Sequence, residues 1–210
     1  MDELLCVTPL QKDILKEVSN IGAGCAATAL AQLVKRKIVM TVPGVNIVPL
    51  VDVADSVGGA DRKVVGIFLR AEGVAPCNLL FLLSIESAHL LVDMMLDREL
   101  GTTQVLEDFN LSALQEVGNM VAGAFMNALF QFTNLKFSPS VPAIAVDMAG
   151  AMLNTVLYQH GFAGDYALMI ETEFAEQVRK ISGSFFMFPD PGSLTTILSA
   201  LGVAEHGECS

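Results

Sequence analysis

Glu17, Asn20 and Gly24 stand three and four residues apart, and the same three residue types return ninety-nine positions later as Glu116, Asn119 and Gly123. On an α-helix, positions 13, 17, 20, 24 and 28 share an arc of about 80°, and so do 112, 116, 119, 123 and 127. Each carboxylate then lies one turn before a side-chain amide, close enough for both to act on one target. An amide can hold a water molecule by donating to it and accepting from it. A carboxylate can engage a lysine through charge-assisted hydrogen bonds. An acyl phosphate needs little beyond an in-line water, so such a helix suits hydrolysis of a labile bond that another protein holds.

A solvated helix face with glycines for close packing would account for one such stripe, but two need more. From Asp13/Ser112 to Leu30/Leu129, eight of 18 aligned positions are identical, which marks an internal duplication. Asn and Gly each cost a helix up to about 1 kcal/mol relative to Ala, and packing does not explain the amide. Other chemistries fit poorly. No Ser or Cys sits beside a His, and His89, His160 and His206 are far apart, so neither a nucleophile dyad nor a metal centre is expected. Gly22-Ala-Gly24 suggests a phosphate cradle, yet Gly22 becomes Val121 in the second copy.

Charge and hydropathy exclude further classes. The 23 acidic and 12 basic residues give a net charge of −11, and the longest basic run is Lys35-Arg36-Lys37, so no nucleic acid is expected as a partner. Mean hydropathy is +0.54, and Val117 to Leu135 is 19 residues without a charge. Asn119, Asn127, Gln131, Thr133 and Asn134 interrupt that stretch, while Lys16, Glu17 and Lys35 bound its counterpart, so no membrane insertion is expected. Cys6, Cys25, Cys77 and Cys209 form no C-x-x-C pair and the start Met1-Asp2-Glu3 is polar, which fits a reducing cytoplasm.

The stripes need helices to carry them. Ile14, Leu15, Val18, Ile21, Ala29, Leu30 and Leu33 recur at helical spacing and predict a helix over 10–34, with Thr8 as N-cap and Pro9 at its first position; its twin spans about 110–132. Residues 37–48 read as β-rich, followed by a short helix from Pro49 to Gly58-Gly59. In the second half 138–141 is a brief strand, and Pro142 to Gln159 reads as helical, ending at Gly161. Each half then supplies two strands and a helix: 64–70, 78–84 and 86–96, then 166–174, 179–188 and 192–201. The expected fold class is α+β, a pseudo-two-fold duplication with two long helices on one mainly antiparallel sheet of about six strands. A single domain over 1–210 is expected, made of repeats at about 9–98 and 110–202.

At the stripes the chain resembles the CheC family of bacterial chemotaxis phosphatases, relatives of CheX and FliY. The family pattern is Asp or Ser, three residues, Glu, two residues, Asn, then Gly four positions on, and both copies match it. Similarity extends to residues 12–29, to Val141-Pro-Ala-Ile-Ala-Val-Asp-Met148 and to Pro189-Asp-Pro-Gly192. The length suits CheC itself, since CheX is shorter with one site and FliY carries an added C-terminal domain.

The resemblance implies hydrolysis of the aspartyl phosphate of the response regulator CheY. By that analogy Glu17 and Glu116 contact the regulator's active-site lysine, and Asn20 and Asn119 orient the attacking water. The regulator would bring the Asp, the lysine and Mg²⁺, leaving this chain no cofactor of its own. Family members also bind the receptor deamidase CheD through a second-half helix. The matching segment is Pro142 to Gln159, with Asp147 as the contact residue among Ala145, Met148, Ala149 and Met152. The competing expectation is a weakly catalytic or non-catalytic module that docks CheD or the flagellar switch. A monomer, or a heterodimer with CheD, is the expected state, because the duplication already places two sites in one chain.

Overall fold

The computed structural model describes residues 3–35, 37–159, 165–176 and 179–203. Helix α1 spans Pro9–Val34. The Thr8 hydroxyl accepts from the Gln11 N–H at 3.2 Å and Gln11 Oε1 accepts from the Thr8 N–H at 2.8 Å, a capping box with Pro9 at the first helical position. Its twin α3 spans Asp108–Thr133. Both end on a left-handed residue at the same register, Lys35 (φ 55°) and Asn134 (φ 56°).

Between them lie β1 (Val39–Thr41), β2 (Val45–Pro49), a 3₁₀ helix (Leu50–Val57), β3 (Lys63–Gly73), β4 (Cys77–Ser84) and α2 (Ile85–Met95). After α3 come β5 (Phe137–Pro139), β6 (Ala143–Met148), α4 (Ala149–Gln159), β7 (Tyr166–Glu176), β8 (Arg179–Pro189) and α5 (Ser193–Ala200). All eight strands join one antiparallel sheet in the order β1-β7-β8-β4-β3-β5, with β2 also on β7 and β6 also on β3. The sheet is thus six positions wide, as expected. The halves meet at β4 and β8, where Leu80 faces Phe186 and Phe81 faces Phe185. Each half also lends its first two strands to the other: β1 and β2 lie on β7, and β5 and β6 lie on β3.

The sheet is covered on both faces. Val65, Ile67, Leu69, Leu79, Phe81, Leu83, Ile170 and Phe185 pack with α1, α2, α3 and α5. Val64, Leu80, Leu82, Ala167 and Phe186 pack on the opposite face against the 3₁₀ helix and against Ala149, Met152, Leu153 and Val156 of α4. Leu79 to Leu83 is therefore buried on both faces, which explains its unbroken apolar run.

One expectation needs correction. The helix expected from Pro142 to Gln159 is a strand, β6, for its first part, and helical only from Ala149. Residues 143–148 pair with β3 from Phe68↔Ala143 to Lys63↔Met148, so sheet pairing overrides a locally helix-tolerant composition. Asp147 lies exposed on that strand, its carboxylate accepting from the Met148 N–H at 2.8 Å. Of the apolar residues expected around it, Ala145 and Met148 are exposed, whereas Ala149 and Met152 belong to the core. Gly161, expected to end that helix, lies outside the described residues. Cys6 is disulfide-bonded, a departure from the reduced state expected of the cysteines.

Buried polar groups fix the connections. Asp93, at 0% exposure on α2, accepts five hydrogen bonds from the N–H groups of Gly101, Thr102 and Thr103 and the two threonine hydroxyls, which pins the α2–α3 connection. Arg70 on β3 donates to both oxygens of Asp190 at 2.7 and 2.6 Å, clamping the Pro189-Asp-Pro-Gly192 turn ahead of α5.

Two glycines on α1 behave oppositely. A Cβ on Gly22 would lie 3.0 Å from Phe125 Cα, so this glycine lets α1 approach the α3 backbone. A Cβ on Gly24 would meet nothing within 4 Å. Gly22→Leu is expected to destabilise by about 1–3 kcal/mol through overpacking. Gly24→Ala should instead stabilise by up to about 1 kcal/mol through helix propensity. Urea midpoints compared at constant slope read both signs.

Candidate functional site

Helices α1 and α3 bury one face each, through Leu15, Val18, Ala23, Ala26 and Leu30 and through Leu114, Val117, Val121, Ala122 and Leu129. The facing arc is turned outward, which leaves Asp13, Glu17, Gly24 and Thr28 exposed on α1, and Ser112, Glu116, Asn119 and Asn127 exposed on α3. Asn20 is half-buried. Among the described residues neither Glu17 nor Glu116 has a salt bridge or hydrogen bond, so both carboxylates are available to an outside cation.

The glycines of the motif are not packing devices. A Cβ at Gly123, like one at Gly24, would meet nothing within 4 Å, whereas a Cβ at Gly118, earlier on α3, would lie 2.6 Å from Ile67 Cγ2. Gly24 and Gly123 spare no neighbour within the chain. Each keeps a strip of helix backbone bare beside a carboxylate and an amide, where something external can come close.

The two amides are held differently. Asn20 Oδ1 accepts from the Val42 N–H at 2.9 Å, where the chain leaves β1, and its NH₂ has no partner among the described residues. Asn119 has no hydrogen-bond partner among the described residues. The corresponding corner, Val141-Pro142, is tied instead by Gln115 Nε2 donating to the Pro142 carbonyl. Val42 is 3% exposed and Val141 84%. Sequence reasoning missed these tethers, although a Val-Pro pair recurs at 42–43 and 141–142 with the same ninety-nine-residue offset as the stripes. Each tether stays within its own half but holds a corner whose strand pairs with the other half: Val42 follows β1, which lies on β7, and Pro142 precedes β6, which lies on β3.

Among the described residues no cluster of His, Cys, Asp and Glu could hold a metal ion, and no helix is long and apolar enough to cross a membrane. Burial pushes the Cys77 thiol up to about 12, which keeps it protonated and unreactive. Asp147 lies on β6, on an element apart from both stripes.

A model described as the CheC-like family matches this chain twice, over residues 10–47 and 109–146, two stretches offset by the same ninety-nine residues. The CheY-P phosphatase CheC of Bacillus subtilis (strain 168) is 36% identical over 198 residues, 92% of this chain and 95% of that protein. The flagellar motor switch phosphatase FliY of the same strain is 27% identical over 140 residues, 66% of this chain and 36% of that longer one. The crystal structure of Thermotoga maritima FliY superposes with a TM-score of 0.78 at 18% identity, covering 95% of this chain and 99% of the other, a likeness of fold.

Proposed function

The chain belongs to the CheC-like family, and from that premise we propose that it is a phosphatase hydrolysing the aspartyl phosphate of a CheY-type response regulator. One observation carries the reading. Twice, an unpaired carboxylate and an amide with a free NH₂ stand one turn apart on one helix face, just before a glycine whose surroundings are open. Glu17 and Glu116 engage the regulator's lysine and fix its register. Asn20 and Asn119 hold a water in line with the phosphorus. Its oxygen bonds to phosphorus as the bond to the aspartyl oxygen breaks, releasing the carboxylate and inorganic phosphate. Mg²⁺ belongs to the regulator and offsets charge on the phosphoryl oxygens.

The continuous sheet, with strands traded between halves, supports a single domain of two repeats. A monomer acting in the cytoplasm is the accompanying reading. Decay of phosphorylated CheY with and without the protein tests the activity. A decay equally slow with wild type and with an Asn20→Ala, Asn119→Ala double variant removes the catalytic reading and leaves a docking module.

CheD is the second proposed partner, at the end of β6, where Asp147 and Met148 are both exposed. Asp147→Lys should weaken CheD binding at least about tenfold by reversing a charge at the contact, with CheY dephosphorylation unchanged. Titration calorimetry against CheD reads the first effect, and unaltered affinity removes Asp147 from that surface.

A further inference from the structure

Both motif helices begin with a large apolar side chain standing in water. Leu10 is 62% exposed and Phe109 66%, and neither packs against either core cluster. They are the same position of the duplication, ninety-nine residues apart. At about 100° per residue, position 10 falls on the arc of 13, 17, 20, 24 and 28, and position 109 on that of its twin. Each stripe thus starts with an apolar residue about 10 Å along the axis from its glutamate and about 15 Å from its asparagine.

A second duplicated pair, Leu33 and Phe132, is 54% and 50% exposed. It lies at the far end of each helix and about 180° away from the centre of the stripe. Exposure of an apolar residue is therefore not peculiar to the stripes, but of the two duplicated pairs only Leu10 and Phe109 share a face with the acid and the amide. Phe130, 39% exposed, also falls on the second stripe, beyond Asn119, but its counterpart in the first copy is the small Ala31.

We propose that Leu10 and Phe109 are the apolar anchors on which the phosphorylated receiver domain seats itself, one at each site. The inference rests on the phosphatase reading above and deepens it. A carboxylate and an amide give register, but they bury little apolar area. A specific contact buries about 800 Å² on each side, a disc about 16 Å in radius. A disc of that size centred on Asn20 or Asn119 reaches the anchor at the head of the same helix. Binding energy in such contacts concentrates on a few large side chains, aromatic ones foremost, so Phe109 carries more of it than Leu10. A receiver seated this way has its phosphorylated end over the amide and a separate apolar patch over the start of the helix.

The test is a Leu10→Ser, Phe109→Ser double variant, compared with wild type and with a Leu33→Ser, Phe132→Ser control that removes the same kind of exposed surface from the other side. Circular dichroism melts establish that each is folded. The anchor variant should raise KM for phosphorylated CheY at least about tenfold with kcat within about twofold, while the control behaves as wild type. Binding is measured in parallel by titrating CheY carrying a beryllium fluoride adduct, which mimics the acyl phosphate without turning over. Wild type that binds the adduct while the anchor variant binds it equally well overturns the anchors alone. Equal loss in the control overturns them too, since the effect would then belong to exposed apolar surface at large. Wild type that neither binds nor hydrolyses overturns the phosphatase reading and the anchors with it.

Discussion

Replacing both amides, Asn20→Ala together with Asn119→Ala, should leave phosphorylated CheY decaying no faster than it does alone. The two side chains are the only proposed holders of the attacking water, and removing one preorganised donor from comparable sites costs about 10²–10³-fold in rate. Neither substitution should unfold the chain. Asn119 is exposed, and Asn20→Ala costs about 1–3 kcal/mol by leaving the Val42 N–H without its acceptor. The single variants should lose unequally, by up to about 10²-fold at the stronger site. Asn20 enters the reaction with its rotor fixed and its oxygen partly engaged, whereas the partner must order Asn119. Single-turnover decay at saturating protein separates the two sites. Equal losses would contradict the difference in how the amides are held.

Asp93→Ala should cost the most stability, roughly 3–5 kcal/mol, because the buried N–H and hydroxyl of Thr103 would be left with nothing to accept them and the N–H groups of Gly101 and Thr102 would lose the contact that pins their loop. The same group makes stability depend on pH. Burial works against the Asp93 charge, but the bonds from Thr103, Gly101 and Thr102 outweigh it and hold the carboxyl below its ordinary value. The unfolded chain then takes up the proton first as pH falls. The contribution is complete above the ordinary aspartate value of about 3.9 and is lost as acid carries the pH down through the lower folded value. Urea titrations of wild type and Asp93→Asn at a series of acid pH values should show the gap between them closing in that direction. A gap that stays constant would remove Asp93 as its source.

Features set by neighbouring residues were legible in the sequence. Thr8 and Pro9 announce the start of α1, and the ninety-nine-residue echo locates α3 and both stripes. The hairpins β3–β4 and β7–β8 follow from runs of apolar and β-branched residues bounded by turns. Residues 143–148 defeated the reading because their strand state depends on β3, some eighty residues earlier. Their Ala and Met content fits a helix as well. The exchange of strands between halves and the bond from Val42 to Asn20 are likewise long-range, and no local propensity reports them. Gly22 and Gly24 look alike in a sequence, and only the position of Phe125 separates the one that packs from the one that stays open.

The borrowing of β1 and β2 by one hairpin, and of β5 and β6 by the other, bears on how such a molecule could be divided. A gene fragment encoding either copy by itself would yield a polypeptide with its β4 or β8 border raw and its outer ribbons unmoored. Two identical fragments could cure each other by trading arms, but only at concentrations high enough for them to meet. Covalent tandem linkage abolishes that dilution dependence. Both motif helices therefore stay assembled however scarce the protein becomes.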